Sequence, residues 1–178
     1  MRITITDIVD QPGATRPVSV AVPADEFGDD PWGTAEGAVQ DPIELDLHLD
    51  SVVDGILVRG SLGFTLILGC ARCLEPQTIE REVQVAELFL DPAKQVDEDD
   101  ELEPGYELVD DATAIDLSTM VRDALIIDLP VRILCRDDCQ GLCPTCGTDR
   151  NREDCGHGAD EGIDPRWAAL AELDLPAE

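Results

Sequence analysis

Between Ile43 and Asp50 the chain alternates without a fault. Ile43, Leu45, Leu47 and Leu49 share one face, and Glu44, Asp46, His48 and Asp50 share the other. A period of two over this length predicts an antiparallel strand with one buried face and one face in water. It puts His48 in solvent. Asp54-Gly55 follows, a dipeptide suited to a tight hairpin because both residues tolerate positive φ. The returning strand lines up Ile56, Val58, Leu62, Phe64, Leu66 and Leu68, with Gly60 and Gly63 marking bulges or bends. A third strand, Thr78 to Leu90, alternates less cleanly through Ile79, Val83, Val85 and Phe89. Upstream, Ile3 and Ile5 alternate with threonines, and Val18, Val20 and Val22 alternate with Ser19 and Ala21. These predict two shorter strands with a turn at Pro12-Gly13 between them. Ala24 to Asp41 reads as a polar loop pinned to the core by Trp32.

The period then changes. Leu117, Met120, Val121, Ala124 and Leu125 recur at helical spacing and form one apolar face. Asp116 is placed to cap this helix and Pro130 to stop it. Val131, Ile133 and Leu134 predict a short strand. A last helix begins at Asp164-Pro165, with Trp167, Leu170 and Ala171 on its apolar face. The expected class is α+β: an antiparallel sheet, open or partly closed into a barrel, covered by one helix. Residues 1–134 form the sheet-and-helix domain and residues 135–178 a cysteine-rich tail.

Charge narrows the choice of partner. The 178 residues carry 40 acidic and 12 basic side chains, a net charge of −28. Such a surface repels phosphate backbones and suits a basic protein partner. Lys94 is the one lysine; the other basic residues are arginines. Asp91 to Asp111 is an acidic, Pro- and Gly-containing surface loop. No apolar run approaches the roughly 18 residues that span a bilayer.

The chemistry lies in the cysteines. Cys143-Pro-Thr-Cys146-Gly is a knuckle: two thiolates separated by two residues can grip one ion while turn N–H groups point at the sulfurs. Cys135, Cys139, Cys155 and His157 flank it. A second C-x2-C, Cys70 and Cys73, sits at the tip between the second and third strands. The cysteine count is odd, and the N-terminal stretch lacks the apolar core of a signal peptide. This favours a reducing, cytoplasmic setting, where thiols bind metal or do chemistry. Cys139-x3-Cys143-x2-Cys146 has the spacing of a radical-SAM cluster, but no Gly-rich cofactor loop follows it. Soft sulfur with one imidazole is the ligand set of tetrahedral zinc.

Seven cysteines and His157 fill two tetrahedral sites. We expect Cys143, Cys146, Cys155 and His157 to form a local site, and Cys70, Cys73, Cys135 and Cys139 to form a second that ties the hairpin tip to the chain leaving the helix. Sharing of Cys139 with the local cluster is the alternative. No H-E-x-x-H, nucleophile elbow or phosphate loop is present.

The run of strand, C-A-R-C-L-E-P (70–76), strand, acidic loop, I-D-L (115–117) and helix leads into C-R-D-D-C-Q-G-L-C-P-T-C-G (135–147) and D-P-R-W-A-A-L (164–170). It resembles the YceD family of bacteria and plastids from about Pro42 onward. Many cysteine-rich members resemble C-x-C at the closing pair, where this chain has Cys155-Gly-His157; histidine serves equally well as a zinc ligand. The resemblance implies a non-enzymatic factor in large ribosomal subunit assembly, supporting accumulation of large-subunit rRNA. A zinc-dependent hydrolase or redox enzyme is the alternative. From Val131 to Glu178 there are 11 acidic residues against 5 arginines. Contact with rRNA is therefore expected to be weak or indirect, through Arg72 and Arg136. The main partner is expected to be a basic ribosomal protein or the pre-ribosomal large subunit.

Overall fold

The computed structural model describes residues 1–27, 37–94, 105–157 and 166. In chain order the elements are β1 (Arg2–Thr4), β2 (Thr15–Val22), a 3-10 turn (Ala24–Phe27), β3 (Gly37–Val52), β4 (Gly55–Gly69), β5 (Pro76–Leu90), β6 (Tyr106–Glu107), β7 (Ala114–Asp116) and α1 (Ser118–Asp128). Strands β2 to β5 form an antiparallel meander, and β6 adds parallel to β5. The resulting five-stranded sheet is open, with β2 and β6 at its edges. Strand β1 does not join it. It pairs with β7 in a separate ladder, Ile3 opposite Ile115.

The alternation does what a period of two demands. Ile43, Leu45, Leu47 and Leu49 are buried on β3, and Ile56, Val58, Leu62, Phe64 and Leu66 face the same way from β4. His48 is exposed. Helix α1 covers this face with Leu117, Met120, Val121 and Leu125, all buried. Full burial of such side chains is worth about 1.5–3 kcal/mol each. The end of α1 is tied to β5 by a two-pronged pair, Arg81 to Asp128, at 2.6 Å on each prong. Phe89 and Tyr106 stack with centroids 5.2 Å apart where β6 joins β5.

Several local expectations change. Val52 pairs with Gly55, so the central turn residues are Val53 and Asp54. Gly55 is needed for proximity: a Cβ there would lie 2.0 Å from the Phe89 carbonyl oxygen. Gly60 likewise marks close approach of β3, with Asp46 O at 2.1 Å from a would-be Cβ, and the register runs through it unbroken. The register shift falls instead between Gln40 and Glu44. It straddles the end of the loop expected over 24–41, because β3 starts at Gly37. Trp32 lies outside the described residues, as do Trp167, Leu170 and Ala171 of the expected terminal helix. Residues 131–134 form no strand, and Val131 is fully exposed. Their apolar residues do not alternate, and the segment crosses the β4–β5 tip, where Ile133 O accepts from Ala71 N at 2.8 Å.

At the start of α1 the cap position is Leu117. Asp116, one residue earlier, still accepts the Ser118 N–H at 3.0 Å. Partial burial would raise its carboxyl pKa, but the Ser118 hydrogen bonds, the N-terminal ammonium and Arg2 hold it at about 2.

Candidate metal centres

Each C-x2-C is built by the same backbone device. In the first, Leu74 N donates to Cys70 O and Cys70 N donates to Glu75 O, both at 2.9 Å. In the second, Gly147 N donates to Cys143 O and Cys143 N to Thr148 O, both at 2.8 Å. The residue after the second cysteine adopts positive φ in both: Leu74 at 63° and Gly147 at 75°. The β4–β5 hairpin closes on the first knuckle. A bridge between Leu142 and Asp149 closes the second.

The fold gathers Cys70, Cys73, Cys135 and Cys139 into one quartet and Cys143, Cys146, Cys155 and His157 into another. In each, the ligand atoms lie within 4.8 Å of one another. Cys139 therefore sits with the hairpin tip and away from the local cluster. In the first quartet Cys73 Sγ is 3.6 Å from Cys135 Sγ, and Cys70 Sγ is 3.9 Å from Cys139 Sγ. A tetrahedron with metal–sulfur bonds of about 2.3 Å has edges of about 3.8 Å. A disulfide would need about 2.05 Å. Both quartets are suited to a metal ion.

Electrostatics point the same way. Burial pushes the Cys70 thiol up, but N–H groups of Arg72, Cys73 and Cys135 aimed at its sulfur bring it down to about 6. N–H groups of Cys146 and Thr145 likewise bring Cys143 to about 6 against its burial. Once those sulfurs are charged, their neighbours resist. Burial first, then Cys139, Cys73 and Cys70, push Cys135 up to about 12. The Glu75 N–H favours the Cys73 thiolate, yet burial and Cys70 raise it overall. The His157 N–H favours the Cys155 thiolate, yet Cys143 raises it overall. A cation among the sulfurs would turn this mutual repulsion into attraction.

The quartets differ in setting. Cys70, Cys73 and Cys139 are buried, with Cys135 half-buried. In the second quartet only Cys143 is buried; Cys146 and His157 are exposed. Arg72 fastens the tail to the hairpin tip. Its Nη1 donates to Cys139 O at 2.9 Å and Asp137 O at 3.2 Å, and its carbonyl accepts from Leu142 N at 3.0 Å. Gly141, at φ 70°, is required there, because a Cβ would meet Arg72 O at 2.9 Å. Arg136 donates to Asn151 Oδ1 at 2.7 Å and pairs with Asp138 at 3.3 Å. The two arginines read as RNA contacts thus have structural tasks.

Sequence reading missed Asn151. Its Nδ2 donates to Cys139 Sγ at 3.4 Å while its Oδ1 takes the Gln140 N–H at 2.7 Å. A lone asparagine in D-R-N-R carries no pattern that would announce this. Asp149, whose carboxyl is lowered by the Asn151 N–H despite burial, holds that asparagine in place.

An antiparallel sheet with one covering helix and two cysteine-rich clusters suited to metal defines the class of protein. The chain belongs to the YceD family: the family model described as Large ribosomal RNA subunit accumulation protein YceD matches residues 58–174. Uncharacterized proteins of Mycobacterium tuberculosis and Mycobacterium bovis are 41% identical over 131 residues, covering 74% of this chain and 61% of theirs. One of Mycobacterium leprae is 37% identical over 135 residues, covering 76% of this chain and 60% of its own. The chain thus spans about three-fifths of the length of these relatives. No solved structure matches it. No helix among the described residues is long and apolar enough to cross a membrane.

Proposed function

We propose that this protein is a non-catalytic assembly factor of the large ribosomal subunit that supports accumulation of large-subunit rRNA. In this reading both quartets, Cys70/Cys73/Cys135/Cys139 and Cys143/Cys146/Cys155/His157, bind zinc in the cytoplasm. Thiolate-rich tetrahedral donor sets suit this d¹⁰ ion. Four protein donors per ion leave no open position for a reacting water, so the metals hold the fold together and do no chemistry. The process comes from the family. The partner comes from one observation, the net charge of −28. Arg72 and Arg136, the two arginines expected to touch RNA, are committed to internal bonds. A basic ribosomal protein is the complementary partner, its RNA-binding residues shielded by carboxylates until it reaches the pre-ribosome.

The test is a binding comparison with zinc-loaded protein at roughly 0.15 M salt, where exposed charges are screened beyond about 8 Å. The proposal expects selective binding to one or a few purified large-subunit proteins and little to naked rRNA. Tight binding to the naked RNA by the unaltered protein, with no affinity for any ribosomal protein, would overturn it.

A further inference from the structure

The solvent face of the sheet is not flat. A groove of about 930 Å³ lies across β3, β4 and β5, bordered by the Asp41-Pro42 bend and by β2. The register shows how it is made. On β4 the outward residues are small: Ser61, Gly63 and Thr65. Gly63 is paired with Glu44 on one side and Glu82 on the other; Ser61 is paired with Asp46, and Thr65 with Glu80. The floor is therefore a stripe of small residues, and both walls are carboxylates. The Glu44 carboxylate leans over the floor, its Oε2 3.5 Å from where a Gly63 Cβ would sit.

These wall carboxylates make no ion pair among the described residues. The cation in the lining, Arg81, has its guanidinium on the opposite face, bonded to Asp128. Further along the same outward face Arg59 pairs with Asp50 at 2.5 Å, so the run of unmatched acids ends there. Like charges gathered on β3 and β5 with only small residues of β4 between them repel one another across the groove. The walls are about 10 Å apart, two strand spacings, and the floor runs about 10–13 Å along β4. That is the room for an extended backbone of three or four residues over the small stripe. Alternate side chains of an extended segment point to opposite sides, so consecutive basic residues would reach both walls.

We infer that this groove is the docking surface for an extended lysine- and arginine-rich segment of a partner protein. The inference rests on the proposed basic partner and names the surface that takes it. The groove lies on the sheet's face, so docking uses side-chain charge and not strand addition.

The probe is a fluorescent peptide of consecutive lysines and arginines, titrated with the metal-loaded full chain by anisotropy at roughly 0.15 M salt. The triple change Glu44→Gln, Glu80→Gln and Glu82→Gln removes three wall charges. The control Asp54→Asn, Asp111→Asn and Glu153→Gln removes three exposed charges elsewhere. Surface pairs are individually weak, so the wall triple is expected to weaken binding by about tenfold and the control by less than about threefold. Amide shifts on peptide addition should centre on Ser61, Gly63 and Thr65. Equal weakening by both triples, or no peptide binding by the unaltered chain, overturns the groove. If ribosomal proteins bind while both triples act equally, the basic-partner reading stands and the groove falls. If the peptide seats in the groove while no ribosomal protein binds, the groove stands and that reading falls.

Discussion

Leu74 and Gly147 occupy equivalent places in the two knuckles, and only one of them is suited to its φ. Leu74 is 60% exposed at φ 63°, so little packing repays its conformation. A left-handed L-residue costs roughly 1–2 kcal/mol. Glycine's extra freedom in the unfolded chain returns about 0.5–1 kcal/mol of that. Leu74→Gly should therefore raise the stability of the metal-loaded protein by about 0.5–1 kcal/mol. Gly147→Ala should lower it by about 1 kcal/mol, although a Cβ there meets nothing within 4 Å. Denaturant midpoints check both, and shifts of the same sign would contradict this account of the knuckles. At this scale the grouping of the cysteines was legible, because C-x2-C spacing has few other uses among reduced thiols. The residues that seat them were not. Arg72 and Asn151 act through single hydrogen bonds between segments distant in sequence, and no spacing rule records such bonds.

Elements with strong local signals were read correctly, and the long-range gathering of Cys70 and Cys73 with Cys135 and Cys139 was anticipated, but the partner of β1 was not read. β3 and α1 each bury a periodic face, and a one-residue slip would turn that face to water. β1 is too short to choose a partner by pattern. Its partner, β7, is settled by the Met1 ammonium meeting Asp116 and Ser118 and by Leu117 N donating to Met1 O at 2.9 Å. The extension of β3 back to Gly37 was hidden by the Asp41-Pro42 break, which reads as a loop and is a bulge. The two quartets link elements unequally. The first joins residues 62 and 69 apart in sequence, tying the β4–β5 hairpin to the chain after α1. The second is confined to 143–157. Closing a loop of about sixty residues removes about 1.5 kcal/mol more chain entropy than closing one of about a dozen. Cys70→Ser should thus lower stability by at least that much more than Cys146→Ser. Comparing the unfolding midpoints of the two variants tests this, and equal losses would mean that the hairpin tip is not tied through the first quartet.

For the whole molecule, charge and metal divide the work. The net charge of −28 lies on the surface of a chain in which aromatic residues make up only 3%. A metal held by the quartet at the hairpin tip would supply cross-linking that the sheet and α1 lack in that region, and its binding free energy would enter directly as folding free energy. Charge was legible from composition. The groove was not, because it depends on how Glu44 and Glu82 register across Gly63. The central claim is that eight residues bind two ions, one of them across the fold. Native mass spectrometry of the metal-replete chain, run beside alkylation of its free thiols, measures this directly. The account predicts two zinc ions per chain, with Cys70, Cys73, Cys135 and Cys139 protected until the metal is chelated. One zinc per chain, with Cys70 and Cys73 freely alkylated, would contradict it.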